Sequence, residues 1–336
     1  MRRHAVPKGS LEKLSFESQC LQENKVGDPS TRDLYVYLPS AYKASQKYPL
    51  LVELAPFTNA GPGRIAWKNF GENIVERLDR LIHEGMPSVI VAFPDCFTRL
   101  GGNQYINNPI IGTYETYLID EVVPYIEKKF LCGGDGLRAC YGRSSGGYGA
   151  LYHGIHHSSF WSAVACHSGD MAFELVYLKD VPLVLNELAK YGYDVEKFFS
   201  YFESALKVTA KDILCLNFFA MAASYDPDPQ AFLGIRLPVD PYTAEVIPER
   251  WRQWLAYDPL MMVQQKSEAL KQLKGLFIDC GSRDQYHLHY GARRLAHILK
   301  KCDVKHVYEE FDDDHNGIDY RLDISLPYLT TALLGK

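Results

Sequence analysis

The chain has no C-x-x-C pair. Its eight cysteines, Cys20, Cys96, Cys132, Cys140, Cys166, Cys215, Cys280 and Cys302, are scattered. Several lie in apolar runs such as LRACYG and SAVACHSG, where a thiol packs as a small hydrophobe. Free structural thiols are therefore expected, rather than a disulfide framework or a zinc ribbon. The pairs His156/His157 and His287/His289 lack metalloprotease spacing, so no metal site is expected. No stretch reaches the 18 consecutive apolar residues of a membrane span, and no signal-length apolar core follows the basic start MRRHAVPKGS. The default is a cytoplasmic protein without a membrane span. Lysine and arginine form no stripe and the net charge is −5, which gives no footprint for nucleic acid. Internal repeats, low-complexity tracts and glycine-serine linkers are also missing.

What is present is a large core: 47% of 336 residues are hydrophobic and 23% charged. LEKLSFES and TRDLYVYLPS alternate apolar and polar residues, as half-buried strands near a sheet edge do. From Tyr48 the pattern becomes a series of continuous apolar runs: YPLLVELAP, PSVIVAFPD, LRACYGRS, WSAVACHSG, GLFIDCGS and KHVYEEF. Such runs suit strands buried on both faces of a mostly parallel sheet. Helical patterns separate most of them, including YETYLIDEVVPYIEKKF, with a kink or an early first turn expected at Pro124, then YGALYHGIHHS and YHLHYGARRLAHILKK. Strand-helix alternation predicts an α/β fold with right-handed crossovers and helices on both faces. About a hundred residues between HSGD and GLFIDCGS break the rhythm. The aromatic-rich stretch at approximately 171–256 is read as an inserted helical cap, with helices in VPLVLNELAKYG and VEKFFSYFESAL and turns in ASYDPDPQAF and RLPVDPYTAE. A helical detour packed away from any site is the alternative.

GRSSGG joins the run LRACYG to the helix YGALYHGIHH, at the carboxyl end of a central strand, where open parallel sheets bind ligands. Gly142-Arg143-Ser144-Ser145-Gly146 fits G-x-S-x-G, the nucleophile elbow. Small residues must flank the turn because side chains there would strike the neighbouring strand or helix. The register selects Ser144 as nucleophile and the Ser145 backbone N–H as an oxyanion donor. A glycine-rich helix start with Ser145 as N-cap is the structural alternative.

A serine hydroxyl needs a histidine to take its proton and a carboxylate to orient that histidine, expected here in the order Ser, acid, His on turns after later strands. Asp284 follows GLFIDC on such a turn and is preferred to Asp279, which lies within the run. His315 follows KHVYEEF; His306 starts that run at the far edge of the sheet, and His167, after WSAVAC, suits a pocket wall or the core. The second oxyanion donor is expected from the loop after LLVELAP, at the N–H of Phe57 with Thr58 as runner-up. Thr58, Arg143, His167, Asp170 and Glu174 are candidates for the substrate pocket. Asp170 also suits helix N-capping, and would favour a cationic or hydroxyl-rich substrate, whereas Arg143 would favour an acidic one; these hints conflict.

The chain resembles the putative-esterase branch of the α/β-hydrolases, the group of S-formylglutathione hydrolases, enterochelin esterases, feruloyl esterases and mycolyltransferases. The likeness spans nearly the whole chain, through LSFESQCL…RDLYVYLPSAY…YPLLVEL, the loop and helix from VAFPDCF to EVVPYIEKKF, GRSSGGYGAL, DCGSRDQYHLH and FDDDHNGIDYR. It implies one α/β-hydrolase domain over 1–336, and the family's motifs place nucleophile, acid and base on Ser144, Asp284 and His315. Ala55-Pro56 replaces the family's usual His-Gly or Ser-Gly before the oxyanion donor, and the long insertion departs from compact members. The expected function is a serine carboxylesterase acting on a small-molecule ester, with no cofactor and with a homo-oligomer left open. The alternatives are an acyltransferase using the same triad and a binding protein that keeps the fold.

Overall fold

A computed structural model describes residues 5–335. Eight strands form one sheet: β1 (Ser10–Glu17), β2 (Thr31–Leu38), β3 (Leu50–Leu54), β4 (Ile90–Pro94), β5 (Arg138–Arg143), β6 (Ala163–His167), β7 (Gly275–Gly281) and β8 (Val307–Phe311). Their spatial order is β1-β2-β4-β3-β5-β6-β7-β8. The two alternating stretches form the antiparallel edge, β1 on β2 and β2 on β4, and every pairing from β4 through β8 is parallel. All six continuous apolar runs form strands of this parallel part.

Alternation along the central strands divides the core between the two faces. Leu50, Val52 and Leu54 join Cys140, Val164, Cys166, Leu276 and Ile278 on one face. Leu51 joins Ala139, Tyr141, Ala165 and Phe277 on the other, under Leu78 of the helix Ile74–His83 and Leu326 and Leu329 of the helix Leu322–Leu334. Truncating a buried leucine here to alanine is expected to cost about 2–5 kcal/mol, since the transfer and cavity terms add. The helix Ile74–His83 starts at Asn73, which accepts from the Glu76 N–H while the Glu76 carboxylate accepts from the Asn73 N–H.

Pro124 has the expected consequence. A proline in mid-helix lacks an N–H and crowds the carbonyl four residues back, and here Tyr117–Val122 is a π-helical stretch leading into Val123–Lys129. The Val123 N–H bonds the Leu118 carbonyl, five residues back.

Between β6 and β7 run five main helices: Val181–Leu188, Val195–Ser204, Ala210–Tyr225, Pro248–Ala256 and Pro259–Leu270. Ala210–Tyr225 is the longest and starts on a Thr209–Asp212 capping box. It runs through the first three residues of ASYDPDPQAF and stops where Asp226 precedes Pro227 and leaves the helical region, at φ −146° and ψ 62°. Phe173, Tyr177, Tyr225 and Trp254 pack as one aromatic nest, with centroids 4.9 to 5.5 Å apart along Phe173–Tyr177, Phe173–Tyr225, Tyr177–Trp254 and Tyr225–Trp254. Among the described residues, no helix is long and apolar enough to cross a membrane.

Candidate active site

The turn after β5 is as sharp as the motif demands. Ser144 has φ +56° and ψ −125°, a backbone that a non-glycine residue adopts only under constraint. Its N–H donates to the His167 carbonyl at 2.9 Å, and its own carbonyl accepts from the Tyr148 N–H at 2.8 Å, which pins the turn between β6 and the helix Ser145–His156. Glycine is required on both sides. A Cβ on Gly142 would lie 2.5 Å from the Gly146 backbone, and one on Gly146 would lie 1.9 Å from the Leu54 carbonyl oxygen.

Asp284 and His315 come together from the loops after β7 and β8. Asp284 Oδ2 accepts from His315 Nδ1 at 2.7 Å, and Oδ1 accepts from the Tyr286 N–H at 2.9 Å, so the carboxylate is oriented by its own turn. The His315 N–H donates to Gln285 Oε1 at 3.0 Å, and the Tyr286 ring meets the imidazole edge-on at 4.8 Å. Both residues are buried, at 2% exposure for Asp284 and 7% for His315. With Nδ1 committed, Nε2 is the ring nitrogen without a hydrogen-bond partner among the described residues.

Ser144, His315, Ser145 and Phe57 line one cavity of about 520 Å³. Ser145 opens its helix and so has no intrahelical acceptor for its N–H. The two candidates on the other loop differ in a decisive way. The Thr58 N–H is spent on the Gly101 carbonyl at 2.8 Å, whereas the Phe57 N–H has no partner among the described residues. Ala55-Pro56 leads into this loop, and the Ala55 carbonyl is held by the Tyr105 hydroxyl at 2.6 Å.

Of the pocket candidates, Thr58, Arg143 and Asp170 line the cavity. Asp170 caps no helix: the amides of Ala172 and Phe173 are taken by Asp258, and Asp170 Oδ2 instead accepts from Gln104 and Tyr177, each at 3.1 Å. Burial pushes the Asp170 carboxyl above its ordinary range, against the lowering effect of those donors and of nearby His315. His167 and Glu174 do not line this cavity, and of the two roles open to His167, a pocket wall or the core, it takes the core. The His167 ring is locked beneath the elbow, Nδ1 to Asp279 Oδ1 at 2.7 Å and Nε2 to Ser325 Oγ at 2.9 Å. Glu174 is exposed and pairs with Arg294 on the surface. The rivals set aside lie elsewhere too: Asp279 serves His167 and Arg321, and His306 bonds the Val304 carbonyl.

The cavity also takes Tyr177, Ile213, Asn217 and Tyr286, which sequence reasoning did not single out. Ile213 and Asn217 lie one turn apart on the helix Ala210–Tyr225, a four-residue spacing that places them on one face. Among the described residues, no group of three or more His, Cys, Asp or Glu side chains could hold a metal ion.

A mostly parallel eight-stranded sheet with helices on both faces and a serine on a strained strand-to-helix turn defines the α/β-hydrolase fold. Residues 29–325 match the family described as putative esterase; the chain belongs to that family and is an esterase. Among solved structures it is similar to a ferulic acid esterase, with 20% identity, TM-score 0.63 and coverage of 97% of this chain and 99% of that one. An S-formylglutathione hydrolase from Agrobacterium tumefaciens matches at 15% identity and TM-score 0.61, covering 98% of each chain. A fluorophosphonate-binding serine hydrolase of Staphylococcus aureus matches at 14% identity and TM-score 0.60, covering 96% of this chain and 99% of that one. No curated protein sequence matches.

Proposed function

We propose that the protein is a serine carboxylic-ester hydrolase working through an acyl-enzyme. Ser144 Oγ attacks the ester carbonyl while His315 Nε2 accepts its proton, and Asp284 holds the imidazole in the required tautomer and stabilises the imidazolium. The negative charge forming on the carbonyl oxygen is received by the N–H groups of Ser145 and Phe57, preorganised donors that need no reorientation as the charge develops. His315 returns the proton to the departing alcohol. Water then attacks the acyl-enzyme, its proton passing to His315, and the acid is released as Ser144 regains its hydrogen. In this reading residues at approximately 171–256 form a cap over a single α/β-hydrolase domain. The enzyme is cytoplasmic, and its partner is a small-molecule ester.

The observation that carries the reading is a convergence. The strained Ser144, the Asp284–His315 pair and two uncommitted amides arrive from four separate strand ends at one cavity. The test is hydrolysis of p-nitrophenyl esters from acetate to decanoate by the native protein and by Ser144→Ala. Turnover that vanishes with Ser144 and peaks at one chain length supports the hydrolase and sizes its acyl pocket. Equal rates for both proteins on every ester would remove Ser144 from the chemistry.

A further inference from the structure

Arg143, the residue just before Ser144, borders two spaces. One is the cavity; the other is a small recess lined by Glu53, Arg64 and Asp319. Within the recess the charges pair with one another, although Glu53 Oε2 has no hydrogen-bond partner among the described residues. Arg64 Nε meets Glu53 Oε1 at 2.7 Å, Arg64 Nη2 meets Asp319 Oδ1 at 3.0 Å, and Lys68 Nζ meets Asp319 Oδ2 at 2.6 Å. Two carboxylates thus answer two cations, and Arg143 is a third cation. It donates no hydrogen bond and has no carboxylate at ion-pair distance among the described residues, and its Nε is buried without a partner. Burial pulls the Arg143 guanidinium below its ordinary pKa, despite the opposing field of Asp319. A desolvated charge left unpaired carries a penalty that a bound counter-ion removes.

The two carboxylates that line the cavity do not need such an ion. Asp180 pairs with Lys179 at 3.0 Å, and Asp170 takes its two donors from Gln104 and Tyr177. The conflict between Arg143 and Asp170 that the sequence leaves open is therefore resolved on the side of Arg143. The cavity's acids have partners inside the protein, and among the described residues its arginine has none.

Resting on the serine-esterase reading, we propose that Arg143 anchors the substrate through a carboxylate, so that the enzyme prefers esters bearing a free carboxylate close to the scissile bond. A guanidinium offers a planar fork that matches a carboxylate with two parallel hydrogen bonds. Adjacency to Ser144 in the chain limits the distance between that carboxylate and the reacting carbonyl to a short spacer.

The test compares kcat/KM within two matched pairs of esters. 4-Nitrophenyl adipate, as the free monoacid, is set against its neutral monoamide, which places the charge on the acyl side; 4-acetoxybenzoate is set against 4-acetoxybenzamide, which places it on the alcohol side. The acid is expected to exceed its amide by about 10- to 100-fold in one pair, the range for a hydrogen bond to a charged group. That ratio should fall to about 1 in Arg143→Gln, stay intermediate in Arg143→Lys, and shrink in the native enzyme as salt is raised to about 1 M. The pair that shows the preference identifies the side carrying the charge. Native ratios at or below 1 in both pairs, or a preference that survives Arg143→Gln, would overturn the anchor while leaving Ser144-dependent turnover of the neutral esters intact. Failure to turn over any of the four esters would overturn the esterase reading and the anchor with it.

Discussion

Two histidine–aspartate couples sit at the carboxyl end of this sheet, and each has the same 2.7 Å bond from Nδ1 to a carboxylate. Judged by hydrogen bonds alone, His167–Asp279 is the more complete, because Ser325 Oγ lies 2.9 Å from its Nε2. Yet His167, Asp279 and Ser325 are 2%, 1% and 0% exposed, Ser325 is inside a regular helix, and Arg321 holds the second oxygen of Asp279 at 2.8 Å. The His315–Asp284 couple opens instead on a cavity that also receives a strained serine and two amides without acceptors among the described residues. On the proposed reading, a serine, a histidine and an aspartate in hydrogen-bonding order are therefore not sufficient for catalysis. Access, a presented hydroxyl and a place for the oxyanion distinguish the set proposed to work from its buried counterpart, in which His167 joins Asp279 of β7 to Ser325 of the C-terminal helix.

The sharpest way to break this contrast is to delete each serine. Ser144→Ala is expected to lower kcat on a p-nitrophenyl ester by about 10⁶-fold, as loss of the nucleophile does in a serine protease triad. Ser325→Ala should stay within a few-fold of native, and comparable losses from the two would erase the distinction. Exchanging the acids separates the couples a second time. Asp284→Asn should reduce kcat by about 10⁴-fold through the wrong imidazole tautomer. Asp279→Asn should act on stability, by about 3–5 kcal/mol in urea denaturation, because it removes the buried carboxylate that His167 and Arg321 share and leaves Arg321 only Glu309. Gly142→Ala sharpens the geometric side of the contrast: the added Cβ displaces the elbow, and a shift of about 1 Å at the nucleophile is expected to cost about 10²-fold in kcat.

The smallest effect concerns a histidine that belongs to neither couple. His153 is buried between the Tyr105 carbonyl and the Trp161 indole N–H, each at 3.0 Å, which fixes a neutral ring. Burial, helped by the neighbouring His157, lowers its pKa to about 4. The unfolded chain then binds the proton more readily, so stability is full above about pH 6.5 and declines as the pH falls toward 4, by roughly 3 kcal/mol in all. Urea midpoints measured from pH 7 to pH 4 should show this decline, and it should be reduced in a His153→Gln variant. A slope unchanged by that substitution would assign the acid sensitivity to other groups.

The strands and the elbow were legible because each left a local signature: continuous apolar runs for strands buried on two faces, and small residues where backbones approach too closely for side chains. Asp284 and His315, proposed as acid and base, were picked from position, on loops following late strands, and the structure brings them to 2.7 Å of each other. Side-chain direction was not. His167 ends β6 just where a pocket residue would be expected, but it is in register with Asp279 on β7, and paired residues of parallel strands share a face. Its ring therefore turns toward Asp279 and the C-terminal helix rather than into the cavity. Glu174 was misplaced for a related reason, since proximity in the chain to a strand end does not say which face of the following helix a residue occupies. Ile213 and Asn217 were missed because KDILCLNFFAMAASY is apolar nearly all round, so no periodicity in the sequence distinguishes the face that meets a cavity from the faces that meet the core; only the structure shows that both are half-buried beside the buried run Phe218 to Tyr225.

The most direct measurement of the central claim is covalent labelling of the native protein with an active-site fluorophosphonate, followed by peptide mass spectrometry. The account predicts one adduct, on Ser144, lost in Ser144→Ala and retained in Ser325→Ala. An adduct on any other serine, or labelling that persists without Ser144, would contradict it.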